Sequence, residues 1–310
     1  MAAVTHRAFR ELVHEIGGCD EYFSEMISAK ALLNGGHLVK YYLDPGPVPE
    51  RLVYQLMGSE AEPIAQAAAE LDKRECAGID INMGCSAPAI ARGGGGVQWM
   101  GNPDAAVEMV SRVRDSVKDH RLSVKLRLGF DEDGRELLPL CRRLQSAGVE
   151  MLTLHPRTAA QKFKRSARWS FVDQLSREMS IPVVGNGDVS DADQLVAKSG
   201  GPWSGVMVGR AAVQQPWIFA QTRGLSSGID LQEVALRFLE LVRRHVPTEF
   251  WKNRVHRFFE YFSGNLVWGH AFISAVHRES DVHAIGTLVR EYFRNHPGEQ
   301  RREWTHGYTH

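Results

Sequence analysis

Cysteine is scarce in this 310-residue chain: Cys19, Cys76, Cys85 and Cys141 are the only four, and none falls at C-x-x-C or C-x-x-H spacing. A structural zinc site or a disulfide framework is therefore not expected, and a reducing, cytoplasmic compartment is the simpler reading. Long apolar runs are missing too. The opening MAAVTHRAFRELVHEIGG carries polar and charged residues throughout, which excludes a signal peptide or membrane anchor there. Net charge is absent, 37 Lys and Arg balancing 37 Asp and Glu, so any polyanion contact must come from a local patch. The run Gly93 to Gly96 lacks the Lys-Ser/Thr ending of a nucleotide-binding loop and reads as conformational freedom, not as a phosphate cradle. No metal and no partner subunit are expected.

What the chain does contain is a repeated order of strand and helix. Ile79, Ile81 and Met83 alternate with Asp80 and Asn82, giving period-two patterning before the break at Gly84. Further strands are expected at Glu21 to Ser28, Arg51 to Met57, Leu122 to Leu128, Met151 to His155, Ile181 to Val184 and Gly205 to Val208. Helices fall between them: Asn102 and Pro103 form an N-cap and first-turn pair ahead of Val107, Val110, Val113 and Val117, and Ser190 caps another. Parallel strands joined by right-handed crossovers predict a (β/α)8 TIM barrel. Only seven strands can be counted, because the helix at Val4 to Ile16 has no strand before it. The expectation is thus an α/β barrel lacking its first strand, over residues 1–224. From Asp230, whose spacing to Glu233 resembles a capping box, the pattern turns to helices only. A C-terminal helical domain is expected over 225–300, followed by a frayed tail, 301–310.

Polar residues stand at the ends of successive strands: Gln55, Asn82, Cys85, Lys125, His155, Arg157, Asn186 and Arg210. In a parallel barrel those ends converge on one rim, so residues distant in sequence surround one site. GNGD at Gly185 to Asp188 and the pair Gly209–Arg210 close the last two strands, where barrels commonly hold a phosphate: glycines let backbone amides approach, and arginine matches the oxygens. The bland alternatives are a buried packing cysteine and two ordinary strand-to-helix turns.

DINMGCSAPAIARGGGG, VKLRLGFDED, LTLHPRTAAQKF, VVGNGDVSDADQ and GVMVGRAAVQQPWIF resemble, in order and spacing, the tRNA dihydrouridine synthases, flavin-dependent barrels that reduce uridine in tRNA. The resemblance implies FMN as cofactor, NADPH as reductant and tRNA as partner. It implies flavin-ring contacts at Gln55, Lys125 and His155, and phosphate and ribitol contacts at Asn186, Gly187, Asp188, Gly209 and Arg210. Met1 and Ala2 match the remnant of a first-strand contact, Cys85 matches the catalytic acid, and Asn82 and Arg157 match groups facing the uridine. The chemistry agrees: hydride added at C6 of uracil places negative charge on an enolate, C5 then needs a proton, and a thiol ordinarily titrating near ~8.5 can deliver it. A fixed cation at Lys125 would stabilise an anionic reduced ring.

Two departures stand out. Ser86 replaces a usual proline after the cysteine, and the loop after His155 is unusually basic. Lys162, Arg165 and neighbouring cations are candidate phosphate contacts, as are Arg254 and Arg257, three apart in the helical segment. The competing functional readings are a flavin barrel acting on another RNA or a free pyrimidine, and an RNA-binding chain made inactive by loss of its first strand.

Overall fold

The computed structural model of the chain describes residues 1–225 and 227–304. Seven strands form one parallel sheet in sequence order: β1 (Tyr22–Ser28), β2 (Leu52–Met57), β3 (Gly78–Met83), β4 (Arg121–Arg127), β5 (Met151–His155), β6 (Val183–Asn186) and β7 (Gly205–Met207). Every residue of β3 and β5 is buried, as expected where helices cover one face and the barrel interior the other. The expected count of seven holds. β1 and β7 are the sheet's two edges, each paired on one side only among the described residues, so the curled sheet forms a barrel-like wall with one open seam.

Local chemistry accounts for most of the covering helices. The helix Pro103–Ser116 starts where the Asn102 side chain accepts the Ala105 N–H at 3.2 Å, and it buries Ala106, Met109, Val110 and Val113. Val107, expected on the same side as Val110 and Val113, is only half-buried. The helix Ala192–Ser199 is capped by Asp191, not by Ser190: the Asp191 carboxylate accepts the Gln194 N–H at 2.8 Å, while Ser190 donates its hydroxyl to Asp191 and its N–H to Gln194 Oε1. A carboxylate is the stronger acceptor at a helix N-terminus. Strand β6 begins at Val183 and not Ile181, since Pro182 has no N–H to give the ladder.

The register of β4, which carries Lys125, is fixed from below. Asp72, at the end of the helix Ala61–Asp72, accepts the N–H groups of Lys118, Asp119 and His120 just before the strand begins. Burial opposes the charge, but these donors and the His120 ring hold the Asp72 carboxyl below its ordinary value of 3.8. Its contribution is therefore fully present above pH 3.8 and fades as pH falls below it. Asp72→Ala, which strands several donors, is expected to cost about 2 kcal/mol, read as a lower Tm at pH 7 and a smaller difference from wild type under acid.

After β7 the chain turns to the helices Leu231–His245, Trp251–Phe262, Gly269–Arg278 and Val282–Asn295. They pack around fully buried Phe238, Phe258, Phe259, Phe262 and Phe293 and continue into the barrel's apolar core through the helix Arg7–Glu15. Glu15 on that helix pairs with Arg237 at 2.7 Å. The segment is not purely helical, because β8 (Gly228–Asp230) pairs antiparallel with β9 (Arg301–Glu303). The tail expected to fray is therefore anchored through residue 303, and 305–310 lie outside the described residues. Asp230 caps its helix as expected, accepting the Glu233 N–H at 2.9 Å. Among the described residues, no helix is long and apolar enough to cross a membrane.

Candidate active site

The strand ends converge as the barrel geometry requires. Met1, Gln55, Asn82, Cys85, Lys125, His155, Asn186, Gly187, Asp188, Gly209 and Arg210 all line one cavity of about 1040 Å3, whose lining also includes residues of both edge strands, β1 and β7. The volume is at the upper end of the ~300–1,000 Å3 typical of cofactor and ligand sites. Among the described residues, no group of three or more His, Cys, Asp or Glu could hold a metal ion.

The cavity is built from polar side chains with assigned partners. Lys125 donates to Asn186 Oδ1 at 3.0 Å, and Asn186 Nδ2 donates to the Met207 carbonyl at 2.8 Å, which ties β4, β6 and β7 together. Burial brings the Lys125 ammonium down to about 8, with Asp80 opposing the shift, so it remains mostly cationic at neutral pH. His155 is pushed down to about 2 by burial and then by Lys125, Arg127, Arg157 and Arg210, so its ring is neutral. The site thus presents fixed positive charge beside a neutral imidazole.

Cys85 is half-buried, whereas Cys19, Cys76 and Cys141 are buried. Its loop is pinned at both ends. Asn82 Oδ1 accepts the N–H groups of Gly84 and Cys85 at 3.1 and 2.9 Å, and the Cys85 carbonyl accepts the Val97 N–H at 3.0 Å. Gly96 passes so close that a Cβ there would lie 2.4 Å from the Cys85 carbonyl oxygen, and its φ is +61°. This contact explains the glycine run's last member.

On the opposite wall, Gly187 has a φ of +124°, and a Cβ there would meet His155 at 2.9 Å. Asp188 is partly buried, yet the Ala167 N–H, the Arg157 hydrogen bond and the nearby arginines hold its carboxyl below the usual range.

Other expected site residues are placed differently. Arg157 does not line the cavity: it is buried behind it, donating to Asp188 at 2.6 Å and lying 3.0 Å from His155 Nε2. Its guanidinium braces the wall between Asp188 and His155. Arg254 is buried as well, at 7 % exposure, against Glu25 of β1 and the Phe250 ring, so it has no surface to offer an RNA. Arg257 is exposed and paired with Glu260, so the two arginines do not share a free face. Ala2 is exposed and is not part of the cavity lining, whereas Lys162 and Arg165 are exposed on the basic loop near its mouth.

Three residues not singled out from the sequence belong here. Arg127 lines the cavity, donates to the Gly84 carbonyl at 2.9 Å and reaches the Lys162 carbonyl at 3.2 Å, so one buried guanidinium links the cysteine loop to the basic loop. Phe163 stands 58 % exposed on that loop with Arg210 4.6 Å from its ring centre. Asp80 lies fully buried beneath Gln55. Arg127 follows Lys125 by two residues and Asp80 precedes Asn82 by two, so strand alternation was the available signal for both.

The residue set fits a phosphate-bearing planar cofactor: an arginine and glycine-rich turns at one end, Lys125, Gln55 and His155 along the cavity. The family described as Dihydrouridine synthase (Dus) matches residues 1–260. Relatives include a probable tRNA-dihydrouridine synthase of Aquifex aeolicus, 36% identical over 71% of this chain and 70% of its own. One from Rhodobacter capsulatus is 35% identical over 71% and 68%. One from Rickettsia conorii is 28% identical over 94% and 91%.

Proposed function

From its membership of the dihydrouridine synthase family, we propose that this chain is an FMN-dependent tRNA-dihydrouridine synthase recharged by NADPH, with Cys85 as the proton donor. The observation that carries the reading is that Cys85 lines the same cavity as Lys125, His155, Asn186 and Arg210, which arrive from separate strand ends. Arg210, Gly209, Gly187 and Asn186 would hold the phosphate and ribitol, and Gln55, Lys125 and His155 would contact the ring, near Met1. FMN, when bound and reduced, supplies hydride chemistry toward C6 of a uridine.

The protein's own residues then divide the remaining work. Cys85 Sγ–H gives its proton to C5 as negative charge develops on the uracil, and the thiolate regains a proton from solvent. Lys125 offers a fixed cation in a desolvated wall, where charge stabilisation is stronger than in water. His155, held neutral, acts as a hydrogen-bonding partner and not as an acid. Asn82 keeps the cysteine loop in place and borders the space left for the base. A uridine inside folded RNA must be extruded to reach a cavity at a barrel rim, and exposed Lys162, Arg165 and Arg257 are the proposed phosphate contacts.

The test is direct. The purified protein is expected to bind FMN and, with NADPH and unmodified tRNA, to form dihydrouridine detectable by nucleoside mass spectrometry. FMN binding with reduction of free uracil and none of tRNA would replace the substrate assignment; failure to bind FMN at all would overturn the enzymatic reading.

A further inference from the structure

Beneath the cysteine loop runs a chain of buried hydrogen bonds in which every group has one possible direction. Gln55 Nε2 donates to Asp80 Oδ2 at 2.7 Å, and Asn82 Nδ2 donates to Gln55 Oε1 at 3.0 Å. Asn82 Oδ1 then accepts from the Gly84 and Cys85 amides. Ser123 closes the far end by donating to Asp80 Oδ1 at 2.8 Å. Gln55, Asp80, Asn82 and Ser123 are all at least 94 % buried; Gln55 and Asn82 border the cavity, whereas Asp80 and Ser123, at 0 % exposure and outside its lining, have no water to substitute for a lost partner.

A carboxamide has a donor end and an acceptor end, whereas a carboxylate accepts only and a backbone N–H donates only. The acceptor at Asp80 therefore dictates which way Gln55 faces, Gln55 dictates Asn82, and Asn82 is left with its oxygen toward the cysteine loop. We propose that Asp80 is a positioning residue for Cys85, acting through the polarity of the Gln55–Asn82 relay and not through contact with the thiol. The β-ladder supports the arrangement, since Gln55 and Ser123 are the direct strand partners of Asp80 on either side.

The relay can be reversed without leaving an unpaired group. With Asn82→Asp and Asp80→Asn together, the new carboxylate at 82 still accepts the loop amides and also accepts Gln55 Nε2. Gln55 Oε1 then accepts from the amide at 80, whose oxygen accepts from Ser123. With Asn82→Asp alone, Gln55 meets an acceptor at both ends and needs two donors where it has one orientation to offer. The single variant keeps the side-chain shape but breaks the polarity: Gln55 Oε1 now faces a carboxylate oxygen, and their repulsion pushes the group at 82 away from the loop amides it holds.

The experiment is alkylation of the full chain by iodoacetamide without added cofactor or RNA, with modification of each cysteine followed by peptide mass spectrometry. Buried Cys19, Cys76 and Cys141 report whether the fold survives. Asn82→Asp is expected to react at Cys85 about tenfold faster than wild type, the size of one mismatched buried hydrogen bond, and the double variant to return to within about twofold. A single variant at the wild-type rate, or a double variant as reactive as the single, would overturn the proposal. If the single variant unfolds, recovery of the fold in the double supports the relay, and loss of the fold in both overturns it. The inference rests on the reading of Cys85 as the site's thiol, but the two can fail separately, because uridine reduction by the wild-type enzyme tests that reading and alkylation rates test this one.

Discussion

Cys85→Ala is expected to lower dihydrouridine formation about 100- to 10,000-fold while NADPH consumption by the flavin-loaded protein and tRNA affinity stay near wild type. The expectation follows from what the residue can and cannot touch. Cys85 is the half-buried cysteine on the cavity wall, held by backbone hydrogen bonds that do not involve its side chain, so removing the sulfur leaves the loop's anchors intact. Lys125 and Asn186, on β4 and β6, and Arg210, which opens the helix after β7, are the proposed cofactor contacts; they lie on other elements and keep their partners. The loss should therefore be confined to the half-reaction that needs a proton at C5. Stopped-flow measurement of the two half-reactions separates the cases: equal loss in both would make Cys85 a cofactor contact and remove it as an acid. Cys85→Ser should recover little, since a hydroxyl of ordinary acidity is a far weaker proton donor than a thiol.

The fold and the rim were legible in sequence because both are written in short-range pattern. Period-two alternation in GIDINM, the Asn102–Pro103 start signal and glycines at strand ends each act within a few residues, and the seven sheet strands formed within one or two residues of their expected bounds, whereas the first helix, expected from Val4, starts at Arg7. What was not legible depends on packing. Arg254 and Arg257 are three apart, and that spacing places them near one another without saying which side of the helix is covered. A finer signal was present: Arg254 precedes Phe258 by four and Phe262 by eight, so it rides the apolar stripe, while Arg257 falls off it. Arg157 is matched by resemblance to a group facing the base, but Asp188 of the neighbouring turn draws its guanidinium into the wall. Strands β8 and β9 carry three residues each, lie about seventy positions apart and are half or fully exposed, which leaves no periodicity to read.

The buried position of Arg254 has a second consequence that is large and opposite in kind to the one the sequence suggested. Glu25 of β1 is 5 % exposed and accepts from the Ala3 N–H, from Tyr41 at 3.3 Å and from Arg254 at 3.4 Å, while the guanidinium lies 4.4 Å from the Phe250 ring centre. This cluster ties the helix Trp251–Phe262 to the first strand of the sheet, across 229 residues of chain. Removing one partner of a buried pair leaves the other charge without compensation, at a cost of about 3–5 kcal/mol. Arg254→Ala is therefore expected to lower Tm by about 10 °C, at roughly 2–4 °C per kcal/mol for a chain above 150 residues. Below its transition the variant should bind tRNA as wild type does, because the lost group never faced solvent. Adding Glu25→Gln to Arg254→Ala should regain part of the lost stability by removing the stranded charge, a coupling that a surface RNA contact would not show. Arg257→Ala supplies the contrast, since its exposed pair with Glu260 contributes at most about 1 kcal/mol. There Tm should hold and any change should appear in RNA affinity. An unchanged Tm with weakened tRNA binding in Arg254→Ala would return that arginine to the surface role.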